Sequence, residues 1–180
     1  MKHLQARFLC LLSVIISSVS SASDPTPVDR FYVAEGLEAT VWAEAPMFFN
    51  PTNMDTDALG RIWVTEAVNY RGFNNEGKVN LWQKTGDRVM VLQDTNGDGR
   101  ADASHVFVQD SDLVAPMGIS VLDNRVIVTC SPNVIVYTDV NRDARFDPLV
   151  DEKQILLTGF GGFDHDHSLH TVKASPNGDL

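Results

Sequence analysis

Short apolar or alternating runs recur along the chain, broken by Gly, Asn, Asp and Pro. Alternation with a period of two places successive side chains on opposite faces of an extended strand. The pattern predicts strands over 39–43, 61–66, 79–83, 88–93, 104–108, 118–122, 125–130, 134–138, 154–158 and 170–173. The stretches DALG, NNEG, TGD, NGDG, LDN and PNG stand between them and supply turn chemistry. No segment sustains a helical period, which disfavours a parallel α/β sheet. An all-β protein, sandwich or propeller, is expected.

Internal repeats choose between these two. DTNGDGRAD begins at Asp94 and DVNRDARFD at Asp139, 45 positions later. DALGRIWVTE (57–66) resembles VLDNRVIVTC (121–130), and SPNGDL (175–180) resembles the start of both. A unit of roughly 45–60 residues holding four strands is the size of a propeller blade, and a sandwich is not expected to repeat in this way. The chain has room for about three blades, whereas closed propellers have four to eight. It stops at Asn177-Gly178-Asp179-Leu180 as a new strand starts, so the expectation is a truncated, partial β-propeller, marginal or aggregation-prone as an isolated piece.

The N-terminus stands apart from this pattern. Lys2 and Arg7 precede an apolar run, Phe8 to Ile16, and then SSVSSAS. That is the order of a secretory signal, with cleavage expected after Ala22 or Ser23. The apolar run falls far short of the ~20 residues a membrane span needs. Residues 1–23 are read as a signal peptide and 24–180 as the exported domain, periplasmic or extracellular. Removing Lys2 and Arg7, with no acid among the lost residues, moves the net charge from −10 to −12. Such an acidic domain is a poor partner for nucleic acid or anionic membrane and a suitable host for cations. Cys130 is then the one cysteine left; it follows an apolar run and reads as a packed strand residue.

Candidate chemistry lies in two places. In DTNGDGRAD, Asp94, Asn96, Asp98 and Asp102 occupy positions 1, 3, 5 and 9 of a calcium-loop pattern. Gly99 stands at position 6, and the Arg100 carbonyl is available at position 7. Position 12, normally a bidentate Glu, is His105. In DVNRDARFD, Asp139, Asn141, Asp143 and Asp147 repeat the spacing; Ala144 replaces the glycine and Asp151 lies just beyond. Ca2+ at both loops is set against Asp/Asn-rich turns held by side-chain to backbone bonds. Either way the loops read as structural.

The second place is GFGGFDHDHSLHTV (159–172), where His165, His167 and His170 interleave with Asp164 and Asp166. Three readings stay open. The spacing is close to the His-x-His-x-Asp-His of metallo-β-lactamase-like hydrolases, with Leu169 where the Asp should be. It also suits a polar loop without chemistry. The third reading comes from resemblance. NPTNMDTDALGRIWVTE, GDRVMVLQDTNGDGRAD, PMGISVLDNRVIVT, YTDVNRDARFD and LLTGFGGFDHDHSLHTVKASPNGDL together resemble the N-terminal part of planctomycete and verrucomicrobial "membrane-bound dehydrogenase domain" proteins. Those are β-propellers related to the glucose and sorbosone dehydrogenases that use pyrroloquinoline quinone (PQQ).

The resemblance implies about three blades of a six-bladed ring, a sugar or alcohol substrate, an electron acceptor and PQQ as cofactor. Asp166-His167 matches the family's Asp-His pair, which makes His167 the base and Asp166 a cofactor-side neighbour. Pro176-Asn177-Gly178 stands where the family has Pro-Asp-Gly. Imidazole titrates near neutral pH, so it can accept a hydroxyl proton while hydride leaves. No Cys-x-x-Cys-His motif for haem c occurs in the chain. A calcium-stabilised propeller that binds a carbohydrate or a protein without chemistry is the alternative. A metal-dependent hydrolase using His165, His167 and His170 is a third reading.

Overall fold

The computed structural model describes residues 26–70, 81–161, 169–175 and 177. Among the described residues, after a 3-10 turn at Val28–Arg30, all regular structure is β. The strands are β1 Pro51–Thr56, β2 Ile62–Glu66, β3 Arg88–Gln93, β4 Ala103–Gln109, β5 Gly118–Leu122, β6 Arg125–Cys130, β7 Asn133–Thr138 and β8 Glu152–Thr158. They form two four-stranded sheets in chain order, β1-β2-β3-β4 and β5-β6-β7-β8, with every pairing antiparallel. Each sheet is one blade of a β-propeller, and the two sequence repeats fall at matching points in both. DALG and LDN make the β1–β2 and β5–β6 turns. The acidic stretches join β3 to β4 and β7 to β8.

The central strands β2, β3, β6 and β7 are buried on both faces, which explains why they read as continuous apolar runs. Between the sheets, Trp63, Val89, Val91 and Phe107 meet Ile119, Val121, Val128, Ile135 and Tyr137 in the main core. Trp63 and Phe107 pack edge to face at 4.9 Å, and Tyr137 and Phe146 at 5.2 Å. The alternate residues Val64, Met90 and Leu92 face away and are covered by Trp42, Met47 and Phe48. On the second sheet, Ile127, Val134 and Val136 face away, packed against Leu122, Leu169 and Val172.

Polar side chains lock the turns and the inner strands. Asp57 accepts the Leu59 and Arg61 amides, Arg61 Nε at 2.6 Å and Trp63 Nε1 at 2.8 Å. Burial opposes ionisation of its carboxyl, but these donors outweigh it and hold the group below the usual carboxylate range. From β1, Thr52 donates to Pro116 O at 2.6 Å and Asn53 to Met117 O at 3.2 Å, and Asp55 accepts Val121 N at 2.8 Å. The first strands of the two blades are thereby fastened side by side, as strands next to a propeller axis are.

Three predicted elements came out differently. Residues 39–43 are described but lie outside both sheets, and so do residues 170–173. Of 79–83, residues 81–83 form no strand and the rest lies outside the described residues. β1 carries no apolar alternation and was not expected.

Candidate functional site

The ends of the strands define two rims. One rim holds the β1–β2 and β5–β6 turns and both acidic loops. The opposite rim holds the ends of β2 and β6 and the starts of β1 and β5.

At the first rim the acidic loops share most of their hydrogen bonds. Asp98 N donates to Asp94 Oδ1 at 3.3 Å, as Asp143 N does to Asp139 Oδ1 at 3.2 Å. Gly99 N reaches Asp94 Oδ2 at 2.9 Å, and Ala144 N reaches Asp139 Oδ2 at 2.8 Å. Asn96 bonds Asp98 through both its amide and its carbonyl, and Asn141 treats Asp143 in the same way. Gly99 and Ala144 both adopt left-handed backbone, φ 86° and 60°. This conformation costs an alanine about 1 kcal/mol and favours glycine.

The equivalence breaks at the last carboxylate. Asp102 accepts Thr95 N, and the residue that accepts the corresponding Val140 N is Asp151, not Asp147. The second loop has four extra residues, so the carboxylate equivalent to Asp102 in this bond is Asp151 and not the one at the same spacing.

The carboxylates that would ring a cation are spent on amides of their own loop. Among the described residues, no three His, Cys, Asp or Glu side chains are grouped as a metal site. We expect the melting temperature to move by less than a degree between millimolar calcium and excess chelator; a saturable rise with calcium would show these bonds giving way to a bound ion.

The opposite rim holds buried charge. Glu66 is fully buried and accepts Arg88 Nε at 2.5 Å, Arg88 Nη2 at 2.9 Å and Phe49 N at 2.7 Å. Asp87, also fully buried, accepts Asn69 N and Ala115 N. Burial pushes its carboxyl up; the Ala115, Asn69 and Val68 amides oppose that, and Glu66 adds to it. At the position matching Glu66, Cys130 exchanges hydrogen bonds with the backbone of Val114, and burial pushes its thiol up to about 12. That thiol is inert at neutral pH.

His165, Asp166 and His167 lie outside the described residues, but the residues on either side converge here. Ser131 Oγ, at the β6–β7 turn, donates to Gly161 O at 3.3 Å and accepts Leu169 N at 3.2 Å. Thr129 Oγ1 donates to His170 O at 2.9 Å. Further along, Lys173 pairs with Asp55 at 3.2 Å and Asn53 reaches Thr171 Oγ1 at 3.4 Å. Residues 169–173 therefore run beside the two inner strands. Gly118 permits this approach: a Cβ there would stand 2.0 Å from His170 O and 2.4 Å from Thr129 Oγ1. Gly118→Ala is expected to push this segment off β5 at a cost of about 1–3 kcal/mol. A urea midpoint equal to the parent's would contradict that.

Comparison with solved structures gives the class. A structure of a Trichoderma reesei carbohydrate-active enzyme of family AA12, determined with iodide, is similar over 81% of this chain with 19% identity and a TM-score of 0.52. The chain spans 31% of that structure's length. The holo PQQ domain of pyranose dehydrogenase from Coprinopsis cinerea is similar over 72% of this chain and 26% of its own, with 18% identity and a TM-score of 0.48. No curated protein sequence matches. The class is thus a β-propeller with the fold of that AA12 enzyme.

Within that class, the chain belongs to the family DUF7133, a domain of unknown function whose sequence model matches residues 24–180. Among the described residues, no helix is long and apolar enough to cross a membrane.

Proposed function

We propose that the chain is part of an exported, quinone-dependent sugar or alcohol dehydrogenase of the "membrane-bound dehydrogenase domain" type. The observation that carries this reading is the convergence of Gly161 and Leu169 on the Ser131 hydroxyl. It brings both flanks of the Asp166-His167 pair to the rim where the inner strands begin. Fold likeness to a carbohydrate-active enzyme supports the same reading, as does a family match that starts at Asp24, next to the expected cleavage position.

An anionic quinone needs cations near the axis. Lys173 fits that need, since it lies beside the inner strands, half exposed and bonded to Asp55 and Ile119 O. PQQ, when bound, supplies the hydride acceptor. His167 takes the substrate hydroxyl proton, Asp166 flanks the cofactor, and Ser131 and Thr129 hold the backbone on the far side of the pair. The acidic loops are the scaffold of the opposite rim and take no part.

The test uses the natural protein, PQQ and a redox dye, with aldoses and simple alcohols as substrates. Dye reduction that requires both quinone and substrate is expected. Quinone-independent turnover, or none across the panel, ends the reading.

A further inference from the structure

The two blades differ in length at the rim that gathers the flanks of the histidine stretch. β6 passes to β7 through two residues, Ser131 and Pro132, whereas the matching connection from β2 to β3 takes 21, residues 67–87. The described ends of that connection, 67–70 and 81–87, are firmly held. Asn69 is fully buried; its side chain accepts Gln83 N at 2.8 Å and donates to Gln83 O at 2.9 Å, which clamps the two ends together. Gly86 N closes a turn on Gln83 O at 3.1 Å. Gln109 donates to Thr85 Oγ1 at 2.9 Å and to Gly86 O at 3.0 Å. Gly86 lies so close to the end of β4 that a Cβ there would stand 1.7 Å from Asp110 O.

A short run of bonds joins this clamp to the second blade. Asp87 accepts both Asn69 N and Ala115 N. Val114 exchanges bonds with Cys130, and the next residue, Ser131, holds Gly161 and Leu169. The β2–β3 connection and the flanks of Asp166-His167 are therefore tied to one framework.

Trp82 stands one residue before the clamp and leaves 78% of its surface exposed. The other two tryptophans are packed, Trp63 in the main core and Trp42 against the outer face of the first sheet. An indole left in water forgoes the burial that an aromatic of its size brings. On a loose arm it could fold back onto the protein; on a backbone held this firmly it is presented. A rigid aromatic displayed at low entropy cost is the usual anchor of a binding surface.

A pyranose ring complements an indole face, since its C–H bonds lie on one face and its hydroxyls project at the edge. A net charge of −10 favours a neutral glycan over an acidic one. We propose that Trp82 is a stacking platform for one sugar unit of a neutral glycan, a subsite beyond the unit whose hydroxyl is oxidised. The substrate class is then an oligosaccharide, bound more tightly than its monomer. The choice of a sugar rests on the dehydrogenase reading, but the stacking itself requires no quinone.

Calorimetry on the natural protein without quinone tests it, with cello-, malto-, xylo- and manno-oligosaccharides and their monosaccharides as probes. At least one oligosaccharide is expected to bind saturably and more tightly than its monomer. Trp82→Ala should weaken that binding about tenfold, and Trp82→Phe should keep part of it. Both variants should melt with the parent, because an exposed indole holds no core together. In turnover, Trp82→Ala should raise KM for the oligosaccharide and leave kcat unchanged. Binding of no probe, equal affinity in Trp82→Ala, or affinity lost only together with the melting temperature overturns the proposal. Trp82-dependent binding without dye reduction supports this subsite while ending the dehydrogenase reading.

Discussion

His167→Ala is expected to lower quinone-dependent turnover of the natural protein by about 10²–10⁴-fold, the usual contribution of a general base. Hydride leaves an alcohol carbon readily only as the hydroxyl proton departs, and at neutral pH imidazole is the side chain suited to receive it. The same role fixes the pH dependence. Turnover should fall as pH drops through the imidazole pKa, ordinarily about 6.5, because the protonated ring cannot accept. In His167→Ala that acid limb should vanish while the melting temperature holds. An unchanged rate would remove His167 from the mechanism. A lost acid limb with full turnover at high pH would make it a binding residue instead.

Arg88→Met is expected to cost about 3–5 kcal/mol of stability, more than any other single change discussed. Glu66 has no exposed side-chain surface, whereas Arg88 keeps 21% of its own. Removing the guanidinium strands a carboxylate that, among the described residues, keeps only the Phe49 amide. The partner change Glu66→Gln, made in the Arg88→Met background, should recover part of the loss by removing the charge. Urea unfolding of the parent and the two variants measures this. Equal midpoints for parent and Arg88→Met would mean that water reaches Glu66.

Much of the blade was legible in the chain because central strands buried on both faces leave long apolar runs, such as RVMVLQ and RVIVTC. Turn residues marked their ends. β1 was not legible because what holds it is polar: Thr52, Asn53 and Asp55 bond to the neighbouring blade, and no periodicity records that. Residues 39–43 showed the reverse problem, an alternating apolar pattern that pairs with no strand among the described residues. The 45-residue spacing found the two loops, but it aligned Asp147 with Asp102, whereas the matching amide bond goes to Asp151; a local insertion is invisible without a hydrogen-bond map. Of the site, the rim that gathers the flanks of the histidine stretch depends on Ser131 and Gly118. Neither residue carries a signal in one sequence: a hydroxyl that closes a loop looks like any turn serine.

The paired bonds Ala101–Trp42 and Phe146–Phe107 have a consequence for how the propeller comes apart. The loop of the second blade donates the Phe146 amide to Phe107 O in β4, so the first blade cannot lose its outer strand without tearing a bond held by its neighbour; the loop of the first blade holds Trp42 O in the same way through Ala101 N. Cooperativity should therefore extend beyond single blades. Denaturant should melt both in one transition, and a nick within the β7–β8 loop should loosen the first blade.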